Sequence, residues 1–156
     1  MNQKGELRIR RARLSEADAL TALAVRSKAH WGYDAAFMAR CHEALAAKPD
    51  NMKRYPYYVA ERAGTVVGFY GFEPEDGQVG LALFFVAPEA IGSGVGRALM
   101  DHAKETARRE GHDELIAIAD PNAAAFYERM GGRPAGSVPS EVDPARPLPV
   151  LRFPLA

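Results

Sequence analysis

The chain has 156 residues, 47% of them hydrophobic, and 20 basic residues stand against 20 acidic ones. That size and composition suit one compact domain with a proper core, the neutral balance argues against nucleic acid or an anionic membrane as partner, and no apolar run approaches the length of a membrane span. The opening stretch from Met1 lacks the apolar segment of a signal peptide, and a single cysteine, Cys41, rules out an internal disulfide framework and fits a reducing compartment. The expectation is a cytoplasmic domain spanning residues 1–156.

Taken in order, alternation of Leu7 and Ile9 predicts a first strand running to about Leu14. Ser15 then caps a helix, with Asp18 closing an imperfect capping box and Leu20, Leu23, Ala24 and Ser27 on its apolar face. A second helix starts at Asp34 or Ala35 and runs to about Ala47, closed by Pro49, Asp50 and Asn51. Strands follow over 57–62 and 65–72, separated by a turn at Ala63 and Gly64. Residues 73–77, Glu-Pro-Glu-Asp-Gly, read as a hairpin turn leading into a strand over 78–86.

A Pro88 turn and three glycines, Gly92, Gly94 and Gly96, then precede a helix that meets no Pro or Gly up to Glu110. Its buried stripe is Val95, Leu99, His102 and Thr106, with Arg97, Asp101, Lys104 and Arg108 facing water. An apolar strand over 115–119 leads to a helix capped by Asp120, opened by Pro121 and ended by Gly131 or Gly132. A strand over 133–138, a Pro-rich link over 139–149 and a last strand over 148–153 complete the chain. No internal repeat is present.

Glycines ahead of a helix leave backbone N–H groups bare at the positive end of the helix dipole, an arrangement that holds a pyrophosphate without spending side chains. Spacing separates the loop types. A P-loop needs Lys and then Ser or Thr after its last glycine, whereas Arg97 and Ala98 follow Gly96. A dinucleotide fingerprint needs G-x-G-x-x-G, but here the glycines are spaced two and two and position 97 is Arg.

What remains, G-x-G-x-G after a strand and a V-x-P turn, resembles the coenzyme A loop of the Gcn5-related N-acetyltransferases, the GNAT family. That loop reads Arg or Gln, two residues, Gly, one residue, then Gly or Ala. Gly94 and Gly96 take the small positions, while Ile91 stands where the family has Arg or Gln, a departure for which Arg97 at the helix start offers compensating charge. A second family segment follows an apolar strand and carries an Asn, an Ala, a Phe-Tyr pair and a Gly. Asn122, Ala125, Phe126, Tyr127 and Gly131 supply those residue types in that order.

The resemblance covers nearly the whole chain, with its specific motifs confined to residues 83–132. It implies an α/β (α+β) domain with a mixed, mostly antiparallel central sheet flanked by helices, and a V-shaped split between the fourth and fifth strands where acetyl-CoA wedges in. The phosphates would lie on Ile91, Gly92, Ser93, Gly94, Val95, Gly96, Arg97 and Ala98, with the backbone of Phe84, Phe85 and Val86 running beside the pantetheine arm. Asn122 would hydrogen-bond that arm or nearby backbone, with Ala125 beside it. Tyr127, a phenol protonated at neutral pH, would donate to the departing sulfur; a core tyrosine is the alternative.

For the base, Glu73 is the first candidate, in company with Glu75 and Asp76, although the same residues make an ordinary solvated turn. His30 is the other. In the family the first two helices border the acceptor pocket. His30, Trp31 and Tyr33 would therefore line it, unless Trp31 simply anchors the loop in the core. Arg146 would meet a substrate carboxylate or remain a solvated loop arginine. His42, Cys41 and His102 lack partners at metal-ligand spacing, so no metal is expected.

The function implied is acetyl transfer from acetyl-CoA to an amine of a small molecule or protein, by direct transfer because Cys41 lies far in sequence from the cofactor motifs. The alternative is a non-catalytic acyl-CoA-binding or sensing module on the same fold. Family members are often homodimers, and the sequence leaves the oligomeric state open.

Overall fold

The computed structural model describes residues 5–155; residues 1–4, part of the opening stretch read for a signal peptide, lie outside the described residues. The strands are β1 (Leu7–Arg11), β2 (Tyr57–Arg62), β3 (Thr65–Glu75), β4 (Gln78–Val86), β5 (Glu114–Ile118), β6 (Arg133–Pro139) and β7 (Pro147–Pro154). The α-helices are α1 (Ala17–Ala29), α2 (Ala35–Cys41), α3 (Pro49–Arg54), α4 (Val95–Arg109) and α5 (Ala124–Arg129). The strands form one sheet in the order β1-β2-β3-β4-β5-β7-β6. Pairing is antiparallel for β1 with β2, β2 with β3, β5 with β7 and β6 with β7, and parallel for β4 with β5. The parallel register joins Val79, Gly80 and Leu81 to Leu115, Ile116 and Ala117, and β4 runs on from there to Val86, as the expected split requires.

The chain divides into two compact units. One holds the residues up to Phe72 together with Leu83–Leu99; the other holds Glu73–Ala82 and the residues from Met100 on. In the first, Leu20, Leu23 and Ala24 of α1 are buried, as are Val59, Phe69, Tyr70, Val95 and Leu99. In the second, Met100, Ala103 and Ala107 of α4 are buried, with Leu115, Ile116, Leu151 and Phe153 from the strands. Each large aliphatic or aromatic side chain removed from water in this way contributes about 1.5–3 kcal/mol before entropy is counted.

Several predicted boundaries move, each for a local reason. β1 stops at Arg11, and Leu14–Glu16 form a single 3₁₀ turn. The reciprocal contact there is made by Glu16, not by Ser15 with Asp18: its Oε1 accepts from the Arg13 N–H at 2.8 Å and its carboxylate also pairs with Arg10 at 2.8 Å. The second helix ends at Cys41 instead of Ala47, and Pro49, expected to close it, opens α3 at the position where a missing N–H costs nothing. The 73–77 turn shrinks to Asp76 and Gly77, because two successive positive φ values (53° and 75°) give a two-residue turn whose twist matches the strands it joins. Glu73 therefore belongs to β3. On α4, Val95, Leu99 and Thr106 are buried, but the stripe continues through Met100, Ala103 and Ala107, leaving His102 at its half-buried edge. Lys104 is half-buried as well, donating to the Met130 carbonyl at 2.7 Å. β6 and β7 take in both ends of the Pro-rich link, which leaves residues 140–146 between them.

Candidate active site

The glycine turn belongs to the first unit. After β4, Pro88–Ala90 make one 3₁₀ turn, tied back by the Ala87 N–H, which donates to the Val67 carbonyl at 2.8 Å. Gly92 and Gly94 then take φ values of 84° and 90°, in the left-handed region where a Cβ is strained, and α4 begins at Val95. The Ala98 N–H is bonded to the Gly94 carbonyl at 3.1 Å; those of the residues just before it are the group that a helix cannot satisfy internally. The first turn of α4 contains no acidic residue, and Arg97 there is exposed. The turn thus gathers a positive dipole end, bare amides and a cation with no carboxylate of its own.

A close approach holds this helix against the sheet. A Cβ on Gly68 of β3 would stand 2.9 Å from Leu99 Cδ1, 3.0 Å from the Phe85 carbonyl oxygen and 3.1 Å from Val95 Cγ1. Gly68 lets the last turn of β4 and the first turn of α4 pack against β3, which fixes where the glycine turn points. Phe84, Phe85 and Val86 are half-buried at that end of β4. Ile91, at the family's Arg or Gln position, is 51% exposed. Ser93 Oγ donates to the Ala90 carbonyl at 2.6 Å and accepts from Arg62 Nη1 at 3.2 Å.

The aromatic loop lies in the same unit, at the end of α1. Trp31 is 49% exposed, so it does not anchor the loop in the core; its ring stands edge-on to His30 at 6.1 Å. Tyr33 packs on Phe37 at 4.7 Å, with Lys28 Nζ 5.1 Å from its ring centroid. Cys41, also in this unit, is a buried free thiol.

The second unit carries the other candidates. Asp120 turns the chain from β5 into a 3₁₀ turn, Pro121–Ala123, and its Oδ1 accepts from the Asn122 N–H at 2.8 Å. Asn122 and Ala125 are exposed, and Phe126 is half-buried. Tyr127 is buried on α5, edge-on to Phe126 at 5.4 Å and to Phe153 at 6.1 Å. Burial first, and the Asp120 carboxylate second, push its phenol well above the ordinary tyrosine range, so it is held protonated.

Glu73, near the end of β3, is an exposed residue, yet partial desolvation of its carboxyl group raises its pKa, with the charges of Glu75 and Glu141 adding to the effect. Arg146 forms an ion pair with Asp120, Nη2 to Oδ2 at 3.3 Å, with side chains 20% and 16% exposed. Arg62, Glu141 and the Asp120–Arg146 pair are the features sequence reading missed, since no local spacing links residues so far apart in the chain. Among the described residues no group of three or more His, Cys, Asp or Glu is placed to hold a metal ion.

Comparison with known proteins gives concordant matches. The model of the Acetyltransferase (GNAT) domain matches residues 53–131, a span holding both the glycine turn and Tyr127. A 5-NmdU N-acetyltransferase of Pseudomonas phage PaMx11 is 35% identical over 81 residues, which make up 51% of this chain and 58% of that protein. A mycothiol acetyltransferase of Thermobispora bispora is 38% identical over 85 residues, 48% of this chain and 29% of that one. The chain thus spans only part of the length of these curated relatives. Among solved structures, the PaiA N-acetyltransferase of Thermoplasma acidophilum, in complex with coenzyme A, superposes with a TM-score of 0.77 at 14% identity, covering 96% of this chain and 99% of that one. At that identity the likeness is one of fold.

Proposed function

Because the chain belongs to the GNAT acetyltransferase family, we propose that its residues act as one acetyl-CoA-dependent N-acetyltransferase domain, passing an acetyl group directly to an amine. The observation that carries this reading is the turn ahead of α4: two left-handed glycines, unsatisfied first-turn amides and no acidic residue to neutralise them. A thioester cofactor with a pyrophosphate fits that chemistry, and the coenzyme A bound in the Thermoplasma structure supports it.

In the reaction the amine lone pair attacks the acetyl carbonyl, a C–N bond forms and the C–S bond breaks. A backbone N–H at the end of β4 polarises the carbonyl. The buried, protonated Tyr127 hydroxyl gives its proton to the departing sulfur and is restored from solvent. Glu73, whose raised pKa brings it nearer to neutrality than an ordinary carboxylate, receives the proton lost by the amine directly or through water. Buried Cys41 takes no part.

His30, exposed Trp31 and Tyr33 form the acceptor-side surface. The acceptor is a small-molecule or protein amine. The relatives named for 5-NmdU and for mycothiol carry different names for what they act on, so neither assigns one here. No helix among the described residues is long and apolar enough to cross a membrane, and the free thiol suits a cytoplasmic setting.

Calorimetric titration with acetyl-CoA, followed by a screen of amine pools for release of free thiol, tests the reading. Binding with thiol release on one pool is the expected result. Binding without release from any pool would favour an acyl-CoA sensor, and absence of binding would overturn the assignment.

A further inference from the structure

The glycine turn has a cation that does not come from its own segment. Arg62, the last residue of β2, lies 31 positions before Ser93, yet its Nη1 donates to Ser93 Oγ at 3.2 Å and its Nη2 reaches the Ser93 carbonyl at 3.5 Å. Its Nε donates to the Gly5 carbonyl at 3.0 Å. All three acceptors are neutral. Glu61, its neighbour in β2, pairs with Arg10 at 3.3 Å, and Glu89, ahead of the glycine turn, pairs with Arg26 at 3.0 Å. Among the described residues Arg62 has no carboxylate partner.

We propose that Arg62 is a binding residue for the phosphates of coenzyme A, bracing the turn through Ser93 and supplying the fixed cation that Ile91 does not. The inference rests on the coenzyme A reading above. A guanidinium presents five N–H donors in a rigid plane, so the bonds to Ser93 and Gly5 leave donors on both terminal nitrogens. An arginine bonded only to neutral oxygens keeps its whole charge, and this one is fixed at a helix start where Arg97 is the other cation and the first turn holds no acid. The brace and the charge act together. Ser93 sits between the two left-handed glycines, so holding its carbonyl and hydroxyl holds the turn in the shape that exposes its amides.

The test is the affinity for acetyl-CoA of wild type, Arg62→Gln and Arg62→Lys, each checked for an unchanged melting temperature and titrated at low and high salt. Arg62→Gln is expected to weaken binding roughly tenfold at low salt, the scale of one charge-assisted hydrogen bond. The gap should narrow as salt screens the wild-type charge. Arg62→Lys, which keeps the charge without the fork, should recover most of the affinity. Wild-type affinity in Arg62→Gln would overturn the proposal. So would an equal loss in both variants at every salt concentration, which would make Arg62 a brace alone. Failure of the wild type to bind acetyl-CoA would remove the coenzyme reading itself, whereas wild-type binding with an indifferent Arg62→Gln removes only this inference.

Discussion

The two segments that carry the family motifs begin alike and end differently. Each runs from a strand through a proline-bearing 3₁₀ turn toward a helix, and in each the first helical amides need acceptors. Ahead of α5 the chain supplies its own: the Asp120 carboxylate takes the Asn122 N–H, and Arg146 in turn balances Asp120. Ahead of α4 it supplies none from the first turn and adds Arg97, while Arg62 reaches the turn through Ser93. A closed start gives a rigid support for one side chain, Tyr127. An open start makes the backbone the binding group.

If the α5 segment works through a side chain, removing one oxygen should break it. Tyr127→Phe keeps the ring packing on Phe126 and Phe153 and is expected to lower turnover about 10²- to 10⁴-fold, the usual worth of a positioned acid. Acetyl-CoA affinity by calorimetry should stay near the wild-type value. Turnover within a few-fold of wild type would return Tyr127 to the core and leave the proton to water.

The α4 segment should show the opposite split. Gly94 has φ 90° and no heavy atom within 4 Å of an added Cβ, so Gly94→Ala tests conformation without a clash. The strain, about 1–2 kcal/mol for one left-handed residue, should appear as roughly tenfold weaker acetyl-CoA binding with the saturated rate preserved. Unchanged affinity would mean that the backbone shape at this turn does not matter to binding.

That contrast also explains what could be read from the sequence. The succession of strands along the chain, the glycine turn and the Asp120 start were legible because each is written in neighbouring residues: alternation, glycine spacing, a cap followed by proline. Other features were not. Glu73 looked like part of a turn because Pro74 and Gly77 flank it, yet the turn needs only Asp76 and Gly77 and the strand runs through. Pro49 looked like an ending and proved to be a beginning, since proline at a helix start and proline after a helix are the same letter. Arg62 with Ser93, Arg146 with Asp120, and Glu141 near Glu73 are products of tertiary pairing, which one sequence does not print.

Glu141 gives a milder test of the second unit. Its charge helps to hold the Glu73 carboxyl pKa up, so Glu141→Gln should lower that pKa and move the acid limb of the rate profile to lower pH. Glu73→Gln should remove the limb altogether. Linkage gives the same sign in stability. A carboxyl whose pKa is higher folded than unfolded costs stability as pH rises from the unfolded value through the folded one. Wild type should therefore lose stability relative to Glu73→Gln across that interval when melting temperatures are compared over pH. An acid limb that Glu141→Gln leaves in place would show that Glu73 is not the group behind it.

The smallest effect should come from Arg146, and it separates a cap from a charge. Arg146→Gln leaves the partly exposed Asp120 carboxylate without its cation, at a cost of about 1 kcal/mol, or a melting temperature lower by about 2–4 °C. Because Asp120 already pushes the Tyr127 phenol upward, an unbalanced Asp120 should make that phenol a weaker acid still and slow transfer a few-fold. Asp120→Asn retains a residue able to cap the turn while removing the charge. In that background Arg146→Gln should cost almost nothing in either stability or rate, and the double-mutant cycle reports the pair directly. Equal losses with and without the Asp120 charge would place the role of Arg146 in ordering residues 140–146, where its backbone N–H donates to the Asp143 carbonyl at 2.8 Å and its carbonyl accepts from Ser140 at 3.1 Å. The open helix start offers no such cycle. Its groups are amides, and only changes in backbone shape or in the neighbouring cations reach them.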